Sequence, residues 1–266
     1  MIRFPKAKIN LGLRVLRKRP DGYHDLQTCM VPIPLRDALE LLPSDGEMGY
    51  DFGDWGEPAD DNLVVRAYRL VRELRPTLPA VNIYLRKRIP TGAGLGGGSS
   101  DATNMLLLLD RQFELGLSPQ ELHRMATRLG ADCSFFLTDT PQIAEGIGEL
   151  LSPYPLDLEG KVLTLLLSDI HISTAEAYRG VVPSEEGEEL RTTLQRPMGE
   201  WCKHLYNAFE PHIFDLHPAL AEGKNALYEA GAVYAAMSGS GPTLFAISDA
   251  PLEINGWSGT QLTYTL

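Results

Sequence analysis

"IPTGAGLGGGSSDATNML", Ile89 to Leu106, is the stretch from which the rest of the chain can be read. Five of the seven residues from Gly92 to Gly98 are glycine. Glycine gives up more backbone freedom on folding than any other residue, so such a cluster marks backbone angles or close approaches that a side chain would forbid. Upstream, "VNIYLRKRI" alternates Val81, Ile83 and Leu85 with Asn82, Tyr84 and Arg86, the period of a half-buried strand. Downstream, Ser99 and Ser100 are good helix caps, and Ala102, Met105, Leu106 and Leu109 follow at helical spacing. Strand, glycine turn and helix start together aim free backbone N–H groups and the positive end of a helix dipole at an anion, most often phosphate. A merely flexible connector would not need two patterned elements beside it.

Several phosphate motifs compete for this turn. A Walker A loop needs Lys after its last glycine, and Gly97 is followed by Gly98. The dinucleotide pattern G-x-G-x-x-G is met by Gly92, Gly94 and Gly97, but helix, strand and an acidic ribose ligand should follow it. Here a second helix follows the first, opened by Ser118-Pro119-Gln120-Glu121. "DFG" at Asp51 to Gly53 has no H-R-D loop ahead of it, so a protein kinase is excluded.

At 266 residues the chain can bury one large core or two ordinary ones. A hydrophobic content of 44% with 22% charged residues fits a globular protein, and no apolar run is long enough to cross a bilayer. The charged, Pro-containing N-terminus does not read as a secretory signal, and Cys29, Cys133 and Cys202 show no metal or redox spacing. These features predict a cytoplasmic protein. A net charge of −11 would repel nucleic acid and anionic membranes, so neither is expected as a partner. Two basic clusters stand out, Arg14, Arg17, Lys18, Arg19 and Arg86, Lys87, Arg88. Either is a solvated strand end or a local attraction for a small polyanion.

Strands and helices mix without strict alternation, which predicts α+β. "AKINLGLRVL" sets Ile9, Leu11, Leu13 and Val15 on one face of a strand and Lys8, Asn10, Gly12 and Arg14 on the other. "DNLVVRAYRLVREL" carries Leu63, Ala67, Leu70, Val71 and Leu74 on a helical stripe capped by Asp61 or Asn62. Helices are predicted over 201–215 and 218–230, strands in "KVLTLLLSD", and a final strand pair in "VYAAMSGSGPTLFAIS". "SPYPLDLEGK" reads as a domain joint and "SEEGEEL" as a solvated acidic loop.

The assembled motifs resemble the GHMP small-molecule kinases, the family of galactokinase, homoserine kinase, mevalonate kinase and phosphomevalonate kinase. "PTGAGLGGGSSDAT" looks like their ATP-phosphate loop. "AKINLGLRVLRKRPDGYHDLQT", "LGADCSFFL" with "AEGIGELL", and "MSGSGPTLFA" stand in the family's order and span nearly the whole chain. The resemblance implies an α+β two-domain fold, an ATP-binding domain over residues 1–152 and an α/β-sandwich domain over 153–266 with a deep cleft between them. It also implies ATP as donor, with Mg²⁺ carried by the nucleotide and no dedicated metal site.

By the same resemblance Asp132 is the catalytic acid–base group and Lys8 the active-site cation. Read alone, they would be a surface ion pair and a strand-edge charge. ATP would be held by Pro90, Gly92, Gly94, Leu95, Gly96, Gly97, Gly98, Ser99, Ser100 and Asn62, with Ser100 nearest the magnesium and Asn62 near the adenine or acting as a helix cap. "DGYH" marks the branch whose small-molecule substrate carries a cytidine diphosphate. Asn10 and His24 would hold that substrate, His24 on the cytosine edge, with Tyr23 and Tyr178 as stacking platforms and Thr174 close to the transfer site. Tyr178 could equally be helix packing. Gly239, Ser240 and Gly241 are a hairpin turn or a cradle for the diphosphate. Cys133-Ser134 replaces the Val-Pro common after the catalytic acid, which loosens the expected loop. The expected assembly is a monomer or weak homodimer.

Overall fold

The computed structural model describes residues 1–53 and 59–266. Its first elements are strands β1 (Ile2–Arg3), β2 (Lys6–Lys18), β3 (His24–Arg36), β4 (Ala38–Pro43) and β5 (Gly49–Asp51), helix α1 (Leu63–Leu74), strand β6 (Val81–Arg86), and helices α2 (Gly97–Gln112) and α3 (Pro119–Leu129). Strands β7 (Gln142–Gly146), β8 (Leu150–Pro153) and β9 (Val162–Leu167) follow. Helices α4 (Thr174–Gly180), α5 (Leu190–Leu194), α6 (Trp201–His204), α7 (Glu210–Leu216) and α8 (Pro218–Glu229) lead to β10 (Tyr234–Met237), β11 (Leu244–Ser248) and β12 (Thr260–Thr265). The mixture is α+β, as the sequence predicts.

The chain divides into two compact units of three segments each. Unit 1 takes Met1–Ala7, Leu35–Thr91 and Gly96–Asp139; unit 2 takes Lys8–Pro34, Gly92–Leu95 and Thr140–Leu266. This interleaves the chain, unlike the single cut after residue 152 read from the sequence. The reason is that β2 and β3 join β7 and β8 in one sheet, ordered β2-β3-β7-β8. "SPYPLDLEGK" lies inside unit 2, running from the end of β8 to the start of β9.

Unit 1 is built on the sheet β1-β4-β6-β5. Strand β4 runs antiparallel to β1 and β6, and β5 pairs parallel to β6. Period-two alternation puts Leu39, Leu41, Ile83 and Leu85 on one buried face, in one core with Val64, Tyr68 and Val71 of α1 and Met105 and Leu109 of α2. Burying each large aliphatic side chain contributes about 1.5–3 kcal/mol. The predicted α1 stripe holds except at its last residue, Leu74, which is exposed where the helix ends. Helix α3 opens with a complete capping box: Ser118 Oγ accepts the Glu121 N–H at 3.2 Å, and the Glu121 carboxylate accepts the Ser118 N–H at 2.9 Å.

Unit 2 carries the β2-β3-β7-β8 sheet and an antiparallel sheet ordered β10-β11-β9-β12. Its core includes Leu13, Val15, Ile172, Phe209, Ile213, Leu220, Met237 and Leu244. The helix predicted over 201–215 is broken in two. Between α6 and α7 the chain runs beside β2, where the Leu13 N–H donates to the Tyr206 carbonyl and the Ala208 N–H to the Leu13 carbonyl, both at 2.8 Å. Edge groups of β2 demand partners, and that demand overrides helical propensity. Among the described residues no helix is long and apolar enough to cross a membrane.

Candidate active site

The glycine turn enters α2 earlier than the sequence predicts. Gly96, at φ 69°, is the cap residue, and the first intrahelical bond runs from the Ser100 N–H to the Gly96 carbonyl at 2.9 Å. Left-handed backbone is open to glycine, so the chain turns straight into the helix without a side-chain cap. The N–H groups of Gly97, Gly98 and Ser99 precede that bond, as an anion site requires. Ser99 and Ser100 thereby become first-turn residues. The Ser100 hydroxyl is fully buried and has no hydrogen-bond partner among the described residues. Asn62 is a helix cap: its Oδ1 accepts the Val64 N–H at 2.8 Å, and the residue is buried.

Asp132 begins a short 3₁₀ turn over Cys133–Leu137, just beyond the Gly130 that ends α3. The Cys133 N–H donates to the Gly130 carbonyl, and Thr103 Oγ1 donates to the Cys133 carbonyl at 2.7 Å. Cys133 and Ser134 are buried, so the loop is pinned without the Val-Pro of the family pattern. Burial, with some help from the Asp132 charge, pushes the Cys133 thiol up to about 11, and it is no nucleophile at neutral pH.

The second basic cluster is not free. Arg86 pairs with Asp51 at 2.8 Å, and Lys87 turns inward to Asp37 and to Asp101 of α2. Strand alternation gives the reason: Val81, Ile83 and Leu85 face the core, so residue 87 continues on the buried side. Asp37 also accepts the N–H groups of Arg88 and Ile89, the residues that lead into the glycine turn. Loss of solvation, and the neighbouring Asp37 charge against the pull of Lys87, raise the Asp101 carboxyl to about 7. The sequence carried one sign of this trio, the inward register of Lys87; Asp37 and Asp101 gave none.

In unit 2 the polar face of β2 is as buried as its apolar face. Lys8 and Asn10 are each only 3% exposed. Lys8 Nζ donates to Asn10 Oδ1 at 2.6 Å and to the Gly94 carbonyl at 3.1 Å, while the Lys8 N–H donates to the Leu95 carbonyl at 2.9 Å. Asn10 Nδ2 donates to Thr28 Oγ1 at 3.1 Å. Ser238 Oγ also donates to the Gly94 carbonyl, at 2.9 Å. A Cβ on Gly94 would collide with the Ser238 carbonyl, and one on Gly239 would lie 3.4 Å from Asn10 Oδ1. The first half of the glycine turn, the β2 polar face and the Ser238–Gly241 turn are thus brought together inside one unit. Asn207, which the sequence did not single out, ties this turn down through Nδ2 to the carbonyls of Met237 and Gly239, at 2.7 and 2.8 Å. Ser238 was missed too, hidden in a motif read as glycine backbone.

The cytidine residues are placed less simply. Tyr23 stands in the turn before β3 and is 60% exposed, its N–H held by Asp21 Oδ1 at 3.1 Å. The ring facing Tyr178 is that of His24, stacked at 4.9 Å between centroids and 24° between planes. Tyr178 also meets Phe209 edge-on at 4.9 Å. Desolvation and the Lys18 ammonium hold the His24 imidazole below its usual range, which favours its neutral form. Thr174 opens α4 and is exposed. The first basic cluster is compensated: Arg17 pairs with Asp25 at 2.6 Å, Arg19 with Asp21 at 2.8 Å. Arg14 donates to the carbonyls of Glu185, Glu186 and Glu188, which makes "SEEGEEL" a loop anchored on β2.

Comparison with known proteins converges on one family. The model of the GHMP kinases N terminal domain matches residues 62–139, and that of the GHMP kinases C terminal matches 188–255. The chain is 47% identical over 253 residues to the 4-diphosphocytidyl-2-C-methyl-D-erythritol kinase of Bacteroides fragilis, covering 93% of this chain and 92% of that one. It is 44% identical over 252 residues to the enzyme of that name from Bacteroides thetaiotaomicron, with 93% and 92% covered. A crystal structure of 4-(cytidine 5'-diphospho)-2C-methyl-D-erythritol kinase superposes with a TM-score of 0.84 at 33% identity, over 99% of this chain and 98% of that one. The chain belongs to the GHMP kinases. Gly96 and the start of α2 lie with the Asp132 loop in unit 1, while residues 8–18 of β2, Gly92–Leu95 and the Ser238–Gly241 turn lie in unit 2. Among the described residues no three of His, Cys, Asp and Glu cluster as a metal site.

Proposed function

We propose that this GHMP kinase transfers the γ-phosphoryl group of ATP to the 2-hydroxyl of 4-diphosphocytidyl-2-C-methyl-D-erythritol, giving the 2-phosphate and ADP. The step belongs to the non-mevalonate route to isoprenoid precursors. The observation that carries the reading is the 44–47% identity to kinases of that name over 93% of the chain. The buried Lys8–Asn10 face beside Gly94 supports it, since a cation so deeply enclosed needs a chemical reason to be there.

Phosphoryl transfer depends on positioning and on charge stabilisation. In our reading, Gly96, Gly97, Gly98, Ser99 and Ser100 cradle the ATP phosphates, with Pro90, Gly92, Gly94 and Leu95 shaping the turn and Asn62 near the nucleoside. Asp132 takes the proton as the substrate O–H bond breaks. The new O–P bond forms while the bond from Pγ to the bridging oxygen breaks, and Lys8 offsets the charge that develops. The buried Ser100 hydroxyl, which has no partner among the described residues, would be the group to hold a magnesium ion bound with ATP, and that ion would supply shielding of the phosphate charge. Asn10, Tyr23, His24, Thr174, Tyr178, Gly239, Ser240 and Gly241 hold the cytidine diphosphate substrate. We further propose a working boundary after residue 152, a cytoplasmic location, and a monomer or weak homodimer.

A coupled ADP-release assay offering the cytidine substrate, mevalonate and homoserine in parallel tests the reading. Only the first should turn over. Asp132→Asn keeps the shape but removes the proton acceptor, so kcat should fall by about two orders of magnitude or more with ATP affinity unchanged. Turnover of mevalonate or homoserine alone, or an Asn variant within a few-fold of wild type, would overturn it.

A further inference from the structure

The buried ion cluster of Lys87 lies outside the residues assigned to the site, yet it touches the phosphate turn. Lys87 and Asp101 side chains are 7% and 2% exposed, and that of Asp37 is fully buried. Each member comes from a different part of unit 1. Asp37 sits between β3 and β4, Lys87 just past β6, and Asp101 in the second turn of α2. Asp37 grips the chain entering the turn, because its Oδ1 accepts the N–H groups of Arg88 and Ile89 while its Oδ2 takes Lys87 Nζ. Asp101 grips the helix leaving the turn, at 2.5 Å from the same Nζ.

Lys87 also lies directly against the turn. A Cβ added to Gly97, the first residue of α2, would come within 3.2 Å of Lys87 Nζ and 2.8 Å of the Ile89 side chain. Stability alone gives a poor account of this arrangement. Two carboxylates share one ammonium, Asp101 Oδ1 has no partner among the described residues, and an apolar trio of similar volume would commonly be as stable or more so. Such a cluster is useful for geometry: charge-assisted bonds fix direction as well as distance.

We propose that Lys87, clamped between Asp37 and Asp101, is a positioning residue for the phosphate-binding turn. It locks the N-terminus of α2 onto the end of β6, so that the free N–H groups of Gly97, Gly98 and Ser99 keep the spacing the ATP phosphates require. This rests on the reading of the turn as the ATP site. Lys87 touches no substrate itself; it acts through Gly97 and Ile89.

The test compares steady-state kinetics and melting of wild type, Asp101→Asn, Lys87→Arg and Gly98→Asp. Asn keeps the shape of Asp101, removes the surplus buried charge and loosens the grip of α2 on Lys87. KM for ATP should rise by about tenfold, with kcat and the KM for the cytidine substrate within about twofold and the melting temperature no lower. Lys87→Arg retains the ion pairs but presses a larger group on Gly97, and should raise KM for ATP in the same selective way. An unchanged KM for ATP in both variants would overturn the proposal. So would parallel loss of both KM values, kcat and melting temperature, the mark of a purely structural cluster. Gly98→Asp separates the underlying reading. A carboxylate in the first turn suits the helix dipole but repels phosphates, so ATP binding should weaken while the fold persists. Unchanged ATP binding in Gly98→Asp would remove the ATP site from this turn, whatever the Lys87 and Asp101 variants do.

Discussion

Asp101 is the residue whose environment departs furthest from what its sequence position announces. In "GSSDATNML" it reads as a polar residue early in a helix; in the fold it is buried beside a second carboxylate, and its pKa rises from 3.8 to about 7. The folded protein therefore holds a proton that the unfolded chain releases. The stabilising contribution of that proton is complete below about pH 4, the unfolded value, and is lost as pH rises through about 7. Melting temperatures of wild type and Asp101→Asn should accordingly diverge between pH 5 and 8, the Asn variant gaining on wild type as pH rises. Parallel curves across that range would mean that Asp101 is ionised throughout. Lys8 and Asn10 show the converse case. Their neighbourhood on one strand face was legible from period two alone, but their burial was not, because the glycine turn and the Ser238 turn that close over them are far away in sequence.

Elements whose signals are local were legible as written: the α3 capping box, the β6 alternation, the β10–β11 pair around "SGSG". Those that depend on distant partners were not. The 201–215 helix breaks because β2 needs a neighbour, and Arg14, Arg17, Arg19, Arg86 and Lys87 of the two basic clusters are held by acids or carbonyls that composition cannot locate. The β2–β3 turn and α4 leave a sharper question. A pair of rings stacked at 4.9 Å leaves no space for a base between them, so cytosine can lie on the inner face of Tyr178 only if His24 moves aside. Two outcomes follow for His24→Ala. If His24 reads the cytosine edge, the variant loses affinity and its preference for cytosine over uracil; if His24 only covers Tyr178, the variant binds as tightly as wild type or more so. We expect the first, and a tenfold to hundredfold loss of affinity, about 1–3 kcal/mol, for Tyr178→Ala with Phe retaining most of the binding. Binding of the cytidine substrate by calorimetry decides between them. Unimpaired binding by both Ala variants would make the pair a packing contact.

Across the whole molecule, the order of the chain carries a thermodynamic consequence. Units 1 and 2 each hold a core of their own, but each is assembled from three separated segments, and both β2 and β3 begin in one unit and end in the other. Loss of unit 2 would take away the sheet that holds most of β2 and β3, and with it the anchorage of the segments that enter and leave unit 1. The chain should therefore unfold in a single transition, although it is long enough for two. Nucleotide binding gives the check. ADP is expected at the turn that opens α2 in unit 1, and cytidine diphosphate at the β2–β3 turn in unit 2. Either ligand at one hundred times its Kd should stabilise the native chain by about 2.7 kcal/mol. At this chain length that corresponds to a rise of about 5 °C, in one undivided calorimetric peak and with either ligand. Two peaks, one moved by ADP alone and the other by cytidine diphosphate alone, would show that the units melt independently and that the crossings of the chain do not couple them.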